Sequence, residues 1–309
     1  MKQKYFAESI LLMITVLWGA TFTIVKQSLR DASPIFFITL RFSVAFILLI
    51  PFLFKKRNLF NLSSAKAGAI LGLLLFFSFA AQTIGLKFTT ATKSGFLTGT
   101  LVVLIPVFQL LIEKKKPSAW AIFGVILVFI GIIFLSSGGN SIFTFLSDLG
   151  KNFNYGDFLT LICAILFAVH VVYLDIFSRR ENIFVLFSLQ IGVTAFFGFL
   201  FSIFFNLINF ETISFNLSRN LLLGILYTSI FATIITTALQ TKYQQYVSPT
   251  NAGLIYSFEP IFAAVIAFFA LNEKITNFGL IGCVLIFLGL ISSELFENYF
   301  KDGKQRNQS

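Results

Sequence analysis

The chain carries, one after another, apolar runs of about 20 residues, and such a run has essentially one use. Wound as a helix rising 1.5 Å per residue, it crosses a hydrocarbon core about 30 Å thick. Ten of them are centred near Trp18, Ala45, Phe76, Val103, Leu127, Phe167, Phe196, Ser229, Phe262 and Phe287. In lipid each backbone N–H and C=O must find its partner within the segment, so these runs predict helices. With 57% hydrophobic residues and only 12% charged ones, there is too little polar side chain to cover a water-soluble globule. The expected class is an all-α membrane protein with ten transmembrane helices.

A formal charge of +10 would suggest nucleic acid in a soluble protein. Here the basic residues sit in short loops between apolar runs, so no nucleic-acid partner is implied. The clusters Lys55-Lys56-Arg57, Lys114-Lys115-Lys116 and Arg179-Arg180 fall on the same side as Lys2 and Lys4. By the positive-inside rule this puts both termini in the cytoplasm, in a multi-pass protein of the cytoplasmic membrane. The first run follows Lys2 and Lys4 as in a signal peptide, but it is too long and lacks a small-x-small cleavage site, so a retained helix is expected. Cys163 and Cys283 lie mid-helix and far apart, which indicates packing rather than a disulfide framework or metal motif. No cofactor is implied.

The second half repeats the first. A shift of 158 sets Gly124, Leu127, Phe129, Gly131 and Ile133 on Gly282, Leu285, Phe287, Gly289 and Ile291, and Gln82, Thr92 and Gly95 on Gln240, Thr250 and Gly253. A shift of 149 sets Leu12, Leu17, Arg30 and Leu40 on Leu161, Leu166, Arg179 and Leu189, with Gln190 where Arg41 stands. The chain thus divides into a first repeat at 1–140, an extracytoplasmic polar linker at 141–155, a second repeat at 156–298 and a polar cytoplasmic tail at 299–309. Five crossings is an odd number, so the second copy enters from the opposite side and the two five-helix repeats are inverted, a recurring architecture of secondary transporters.

Leu17-Trp18-Gly19-Ala20-Thr21-Phe22 with Arg41, and Ser257-Phe258-Glu259-Pro260-Ile261-Phe262-Ala263-Ala264 with Leu271-Asn272-Glu273, resemble the EamA family of the drug/metabolite transporter superfamily. The similarity extends from about Ala7 to Glu294. It implies ten helices in two inverted repeats of five, and export of amino acids or related metabolites. The copies have diverged: Lys115 stands where the second half has Glu273.

Several polar residues lie inside apolar runs, where they are costly and therefore informative. Glu259 is either a substrate or proton site or a packing carboxyl bonded to another helix. Pro260 beside it removes a donor and frees carbonyls near Tyr256. Arg41 either snorkels to the outer headgroups or supplies a counter-charge to Glu259 or to a substrate carboxylate. His170, the only histidine, is a proton relay or a satisfied core residue. Gln82 and Gln240 form a repeat-related polar lining or interhelical glue. Trp18 and Tyr256 offer aromatic walls. In the fourth run, small residues from Ser94 through Gly95 to Gly99 predict close approach of a neighbouring backbone.

No phosphate-cradling loop, Cys/His cluster or nucleophile elbow is present in the sequence, so an enzyme is not expected. The expected function is a secondary transporter that exports small polar metabolites, amino acids or related compounds, by alternating access. Its partners would be a small-molecule solute, membrane lipid and protons as coupling ion, and its site would lie at the midplane among helices one, three, four, six, eight and nine. The alternative is an exporter of cationic or aromatic drugs; a membrane-embedded enzyme or receptor is the third reading.

Overall fold

The computed structural model describes residues 2–89, 91–137, 141–151, 153–271 and 276–306. In chain order its α-helices are α1 (Lys2–Gly19), α2 (Thr21–Ser28), α3 (Pro34–Lys55), α4 (Leu62–Phe88), α5 (Ala91–Gly99), α6 (Leu101–Phe108), α7 (Ala119–Ser136), α8 (Ile142–Lys151), α9 (Tyr155–Ser178) and α10 (Ile183–Leu207). There follow α11 (Arg219–Ser229), α12 (Thr236–Tyr243), α13 (Pro249–Tyr256), α14 (Glu259–Leu271) and α15 (Asn277–Arg306). Two π-helical stretches, Gln109–Glu113 after α6 and Ile230–Ile235 between α11 and α12, complete the bundle. Among the described residues there is no strand, only one isolated bridge between Ala32 and Phe215.

Among the described residues, eight helical segments are long and apolar enough to cross a membrane. The run centred on Phe262 is broken into α13 and α14, and the last contributes a shorter apolar stretch, Asn277–Ser293. Large apolar side chains such as Phe54, Phe199 and Phe269 are more than half exposed, as a lipid-facing surface requires.

Helices come together where side chains are smallest. Along α7 and α15, Gly124 opposes Gly289 and Gly131 opposes Gly282, so the two helices run antiparallel at backbone contact. A methyl group added at Gly282 would sit 2.6 Å from the Gly131 carbonyl oxygen and 2.6 Å from the Leu135 nitrogen. Gly85 and Gly156 meet similarly between α4 and α9. Gly95 departs from its expectation: nothing lies within 4 Å of where its Cβ would be, because it faces a small cavity rather than a neighbouring backbone.

The segment at 141–155, expected to be a polar linker, contains the helix α8. Its sequence, Ile142-Phe143-Thr144-Phe145-Leu146, is apolar enough to wind, and Phe143 is 84% exposed. α15 likewise runs through the expected tail as far as Arg306. Asn272 and Glu273, part of the second sequence motif, lie outside the described residues.

The loop after α10 clasps the loop before α3. Ser33 N donates to Ser214 O at 3.0 Å, Asn216 N to Asp31 O at 2.7 Å, and Ile35 N to Glu211 Oε1 at 2.9 Å. Partial burial pushes the Glu211 carboxyl above its usual range, against the opposing pull of the Ile35 amide. The folded protein therefore takes up this proton at higher pH than the unfolded chain, and stability falls as pH rises from the ordinary carboxylate value through the raised one. Glu211→Gln keeps the acceptor for Ile35 and removes the charge. Its melting temperature is expected to match wild type at acidic pH and to exceed it at neutral pH, as read by thermal unfolding in detergent.

Candidate functional site

Three helix breaks face one another in the interior. The first is at Ala20, between α1 and α2. A Cβ on the preceding Gly19 would lie 2.8 Å from Ala263 N and 3.1 Å from Glu259 O, so only glycine lets this break sit on the start of α14. The second is at Ser257 and Phe258, just before Glu259-Pro260, where Phe258 N bonds back three residues to Ile255 O. The third is at Thr100, where Thr100 N bonds back three residues to Leu97 O. Thr100 and Phe258 are 158 residues apart, the shift that aligns the two halves of the sequence. At that shift Val102 stands where the later segment has Pro260, so a helix breaks here without a proline and Pro260 reinforces the other break.

Between these breaks lies a cavity of about 70 Å³. All seven residues singled out from the sequence line it: Trp18, Arg41, Gln82, His170, Gln240, Tyr256 and Glu259. Phe42, Phe79 and Phe167 supply apolar wall. Helices one, three, four, six, eight and nine of the sequence count contribute, and helix two joins them through Arg41.

Arg41 does not snorkel. It is only 4% exposed, and its Nε donates to Thr233 Oγ1 at 2.7 Å while Nη2 donates to the Ala232 carbonyl at 2.8 Å. Both partners belong to the π-helical stretch Ile230–Ile235, whose register leaves a carbonyl for the guanidinium. The ring of Phe79, at 4.6 Å from the guanidinium carbon, covers the group. Nη1 has no hydrogen-bond partner among the described residues. Among the described residues Arg41 pairs with no carboxylate, so it is not a counter-ion to Glu259 here.

The Glu259 carboxylate, at the first turn of α14, has no hydrogen-bond or ion-pair partner among the described residues; it opens onto this cavity and a smaller one. His170 is 2% exposed, with Nε2 at 2.9 Å from Gln190 Oε1, and Gln190 Nε2 donates in turn to Thr241 Oγ1 at 3.3 Å. Gln190 is the residue that stands where Arg41 would be in the second copy. The glutamines are each tied locally: Gln82 Nε2 donates to Thr98 Oγ1 at 3.3 Å, and Gln240 Nε2 donates to Tyr256 OH at 3.3 Å. The Tyr256 hydroxyl donates to Gln244 Oε1 at 2.7 Å, and Trp18 sets its ring against Tyr256 at 5.3 Å between centroids.

Thr98, Thr233 and Thr237 also line the cavity and carried no signal in the sequence, because threonines in membrane helices commonly bond their own backbone. Gln190 could have been found, since the repeat alignment sets it against Arg41.

The sequence model of the EamA-like transporter family matches residues 6–137 and 154–293. A protein named as an uncharacterized transporter in Archaeoglobus fulgidus is 33% identical over 94% of this chain and 86% of its own length. A second transporter of that organism is 28% identical over 91% of this chain and 95% of its own length. The Bacillus subtilis transporter YoaV is 19% identical over 91% of this chain and 94% of its own. A solved crystal structure superposes with a TM-score of 0.74 at 17% identity, over 95% of this chain and 98% of the other, and so shares the fold. With long apolar helices throughout, a polar-and-aromatic cavity among them and relatives of like length, the chain is a multi-pass membrane transporter and belongs to the EamA-like transporter family.

Proposed function

We propose that this protein is a secondary carrier of the cytoplasmic membrane that exports small zwitterionic metabolites, amino acids or related compounds, by alternating access. The observation that carries this reading is the pair of unspent charges in one cavity. Among the described residues, Glu259 offers a carboxylate with no partner, and Arg41 Nη1 offers a donor with none. An α-amino acid carries an ammonium for the first and a carboxylate for the second, and a buried charge without a partner is costly until one arrives. His170, bonded to Gln190 at the cavity wall, and Glu259 are the groups within the cavity that could exchange protons with a coupled solute.

In this reading ten helices form two inverted halves, 1–140 and 156–298, with both termini cytoplasmic. The antiparallel crossing of α7 and α15 through repeat-equivalent glycines supports it, as does the helix break at equivalent positions Thr100 and Phe258. The family match in two blocks adds to that support. The halves would rock about the cavity.

A second reading, export of cationic aromatic drugs, draws on the lone carboxylate among Phe42, Phe79 and Phe167. A thermal-shift screen of the detergent-solubilised protein against amino acids, nucleosides, sugars and common drugs separates the two, because a bound ligand raises apparent stability by mass action. Stabilisation by amino acids is the expected result. Stabilisation by cationic drugs alone would favour the second reading, and stabilisation by neutral sugars alone would overturn both.

A further inference from the structure

At the end of the bundle opposite the Lys114-Lys115-Lys116 and Arg179-Arg180 clusters, four helices are tied together around one buried carboxylate. Asp157, in the first turn of α9, has a fully buried side chain. Its Oδ1 accepts from Thr89 Oγ1, at the C-terminal end of α4. Its Oδ2 accepts from the Asn154 amide at 3.0 Å and from Lys93 Nζ, on α5, at 2.9 Å. Lys26, on α2, donates to the Thr89 carbonyl at 2.9 Å and to the Leu86 carbonyl, at the end of α4 where carbonyls run out of donors within the helix.

The tie joins two fixed helices to two that end at breaks. α4 and α9 touch backbone to backbone where Gly85 meets Gly156: a Cβ on Gly85 would sit 2.8 Å from Gly156 O. α2 and α5 are short pieces, set off from α1 and α6 by the breaks at Ala20 and Thr100 that frame the cavity. Each sends one lysine to the α4–α9 pair. The tie also stands just beyond the cavity. Thr21, Gln82 and Thr98 line it, and on the same three helices Lys26, Leu86 and Lys93 lie four or five residues away, about 6–8 Å along the axis. To open the cavity at this end, α2 and α5 must part from α4 and α9, and both lysines oppose that.

We propose that Lys26 and Lys93, closing on Thr89 and Asp157, are the latch that seals this end of the cavity, with α2 and α5 as its moving arms and α4 with α9 as its fixed post. A buried ion pair adds little net stability, because desolvation offsets its attraction, so it suits a choice between two arrangements better than it suits holding the fold. When the arms swing away, water reaches Asp157 and Lys93 and solvates each charge, and the pair forms again on closing. The latch rests on the carrier reading above, in that the cavity must open at its two ends in turn; it does not depend on which solute is carried.

The test is the rate at which a membrane-impermeant maleimide labels Thr21→Cys, a reporter in the cavity wall, in intact cells and in inverted membrane vesicles. Lys115→Cys, labelled in only one of the two preparations, fixes which end each exposes, and the chain with only Cys163 and Cys283 gives the background. Lys93→Gln leaves Asp157 its bonds from Thr89 and Asn154 and should still fold. Combined with the reporter, it is expected to raise labelling roughly fivefold from the latch end, the effect of losing one ion pair, and to lower it from the other end. Lys26→Met should act in the same direction, and Lys93→Arg, which keeps the charge, should label as wild type does. Unchanged rates with Lys93→Gln would overturn the latch. So would a rise from both ends, since Lys93 would then only support the fold. Neither readout requires a transported solute: if the latch fails, the solute screen still reports on the carrier site, and if the screen fails, labelling still reports on the latch.

Discussion

Gly282→Ala is expected to destabilise the protein by about 2 kcal/mol, and Gly282→Leu to prevent folding. Two effects oppose each other at this position. Alanine is better than glycine in a helix by about 1 kcal/mol. Overpacking costs roughly 1–3 kcal/mol when neighbours can adjust, and more when they cannot. Here the neighbours are the Gly131 carbonyl oxygen and the Leu135 nitrogen, each 2.6 Å from the new methyl, and backbone atoms of a continuous helix cannot rotate aside. The steric term therefore wins, and α7 and α15 must separate. Without an appreciable hydrophobic drive between helices in lipid, that close contact is most of what joins them. Gly95→Ala is the control: nothing lies within 4 Å of its Cβ, so it should melt at or slightly above the wild-type temperature. Melting curves from size-exclusion chromatography after heating would compare the two; equal losses would show that the α7–α15 crossing does not set stability.

The second large effect concerns the cavity. Glu259→Gln is expected to weaken binding of an amino acid by roughly 30- to 150-fold, the equivalent of about 2–3 kcal/mol for losing one partner of a buried charge pair. Arg41→Gln should do the same, but the two variants should differ by solute. A decarboxylated analogue, which keeps only the ammonium, should bind Arg41→Gln as well as wild type. An analogue lacking the amine should be insensitive to Glu259→Gln. Arg41→Gln also loses its cover on Phe79 and its bonds to Thr233 and Ala232, so binding must be read as the ligand-induced shift within each variant. If Arg41→Gln left the affinity for amino acids unchanged, the zwitterion reading would fail and the cationic-drug reading would stand.

Much of this was legible along the chain. Periodic apolar runs identified the helices because lipid leaves a backbone of that length no other way to bond itself. The seven cavity residues stood out for the same reason: a polar or large aromatic group within an apolar run needs an explanation. α8 was missed because Gly138, Gly139 and Asn140 next to it read as a loop, while its own turns are short and amphipathic. Gly95 was misjudged because sequence reports that a residue is small and not what it faces.

Composition and pattern by themselves determined the solvent, the helical class and which residues are out of place in lipid, since each depends only on chain chemistry taken locally. Tertiary structure decided how those residues are used. Whether Arg41 reaches headgroups or the interior depends on the carbonyl that a π-helical turn some 190 residues away leaves open. Such contacts join parts of the chain far apart in sequence, and the short-range rules that govern a single helix carry no information about them.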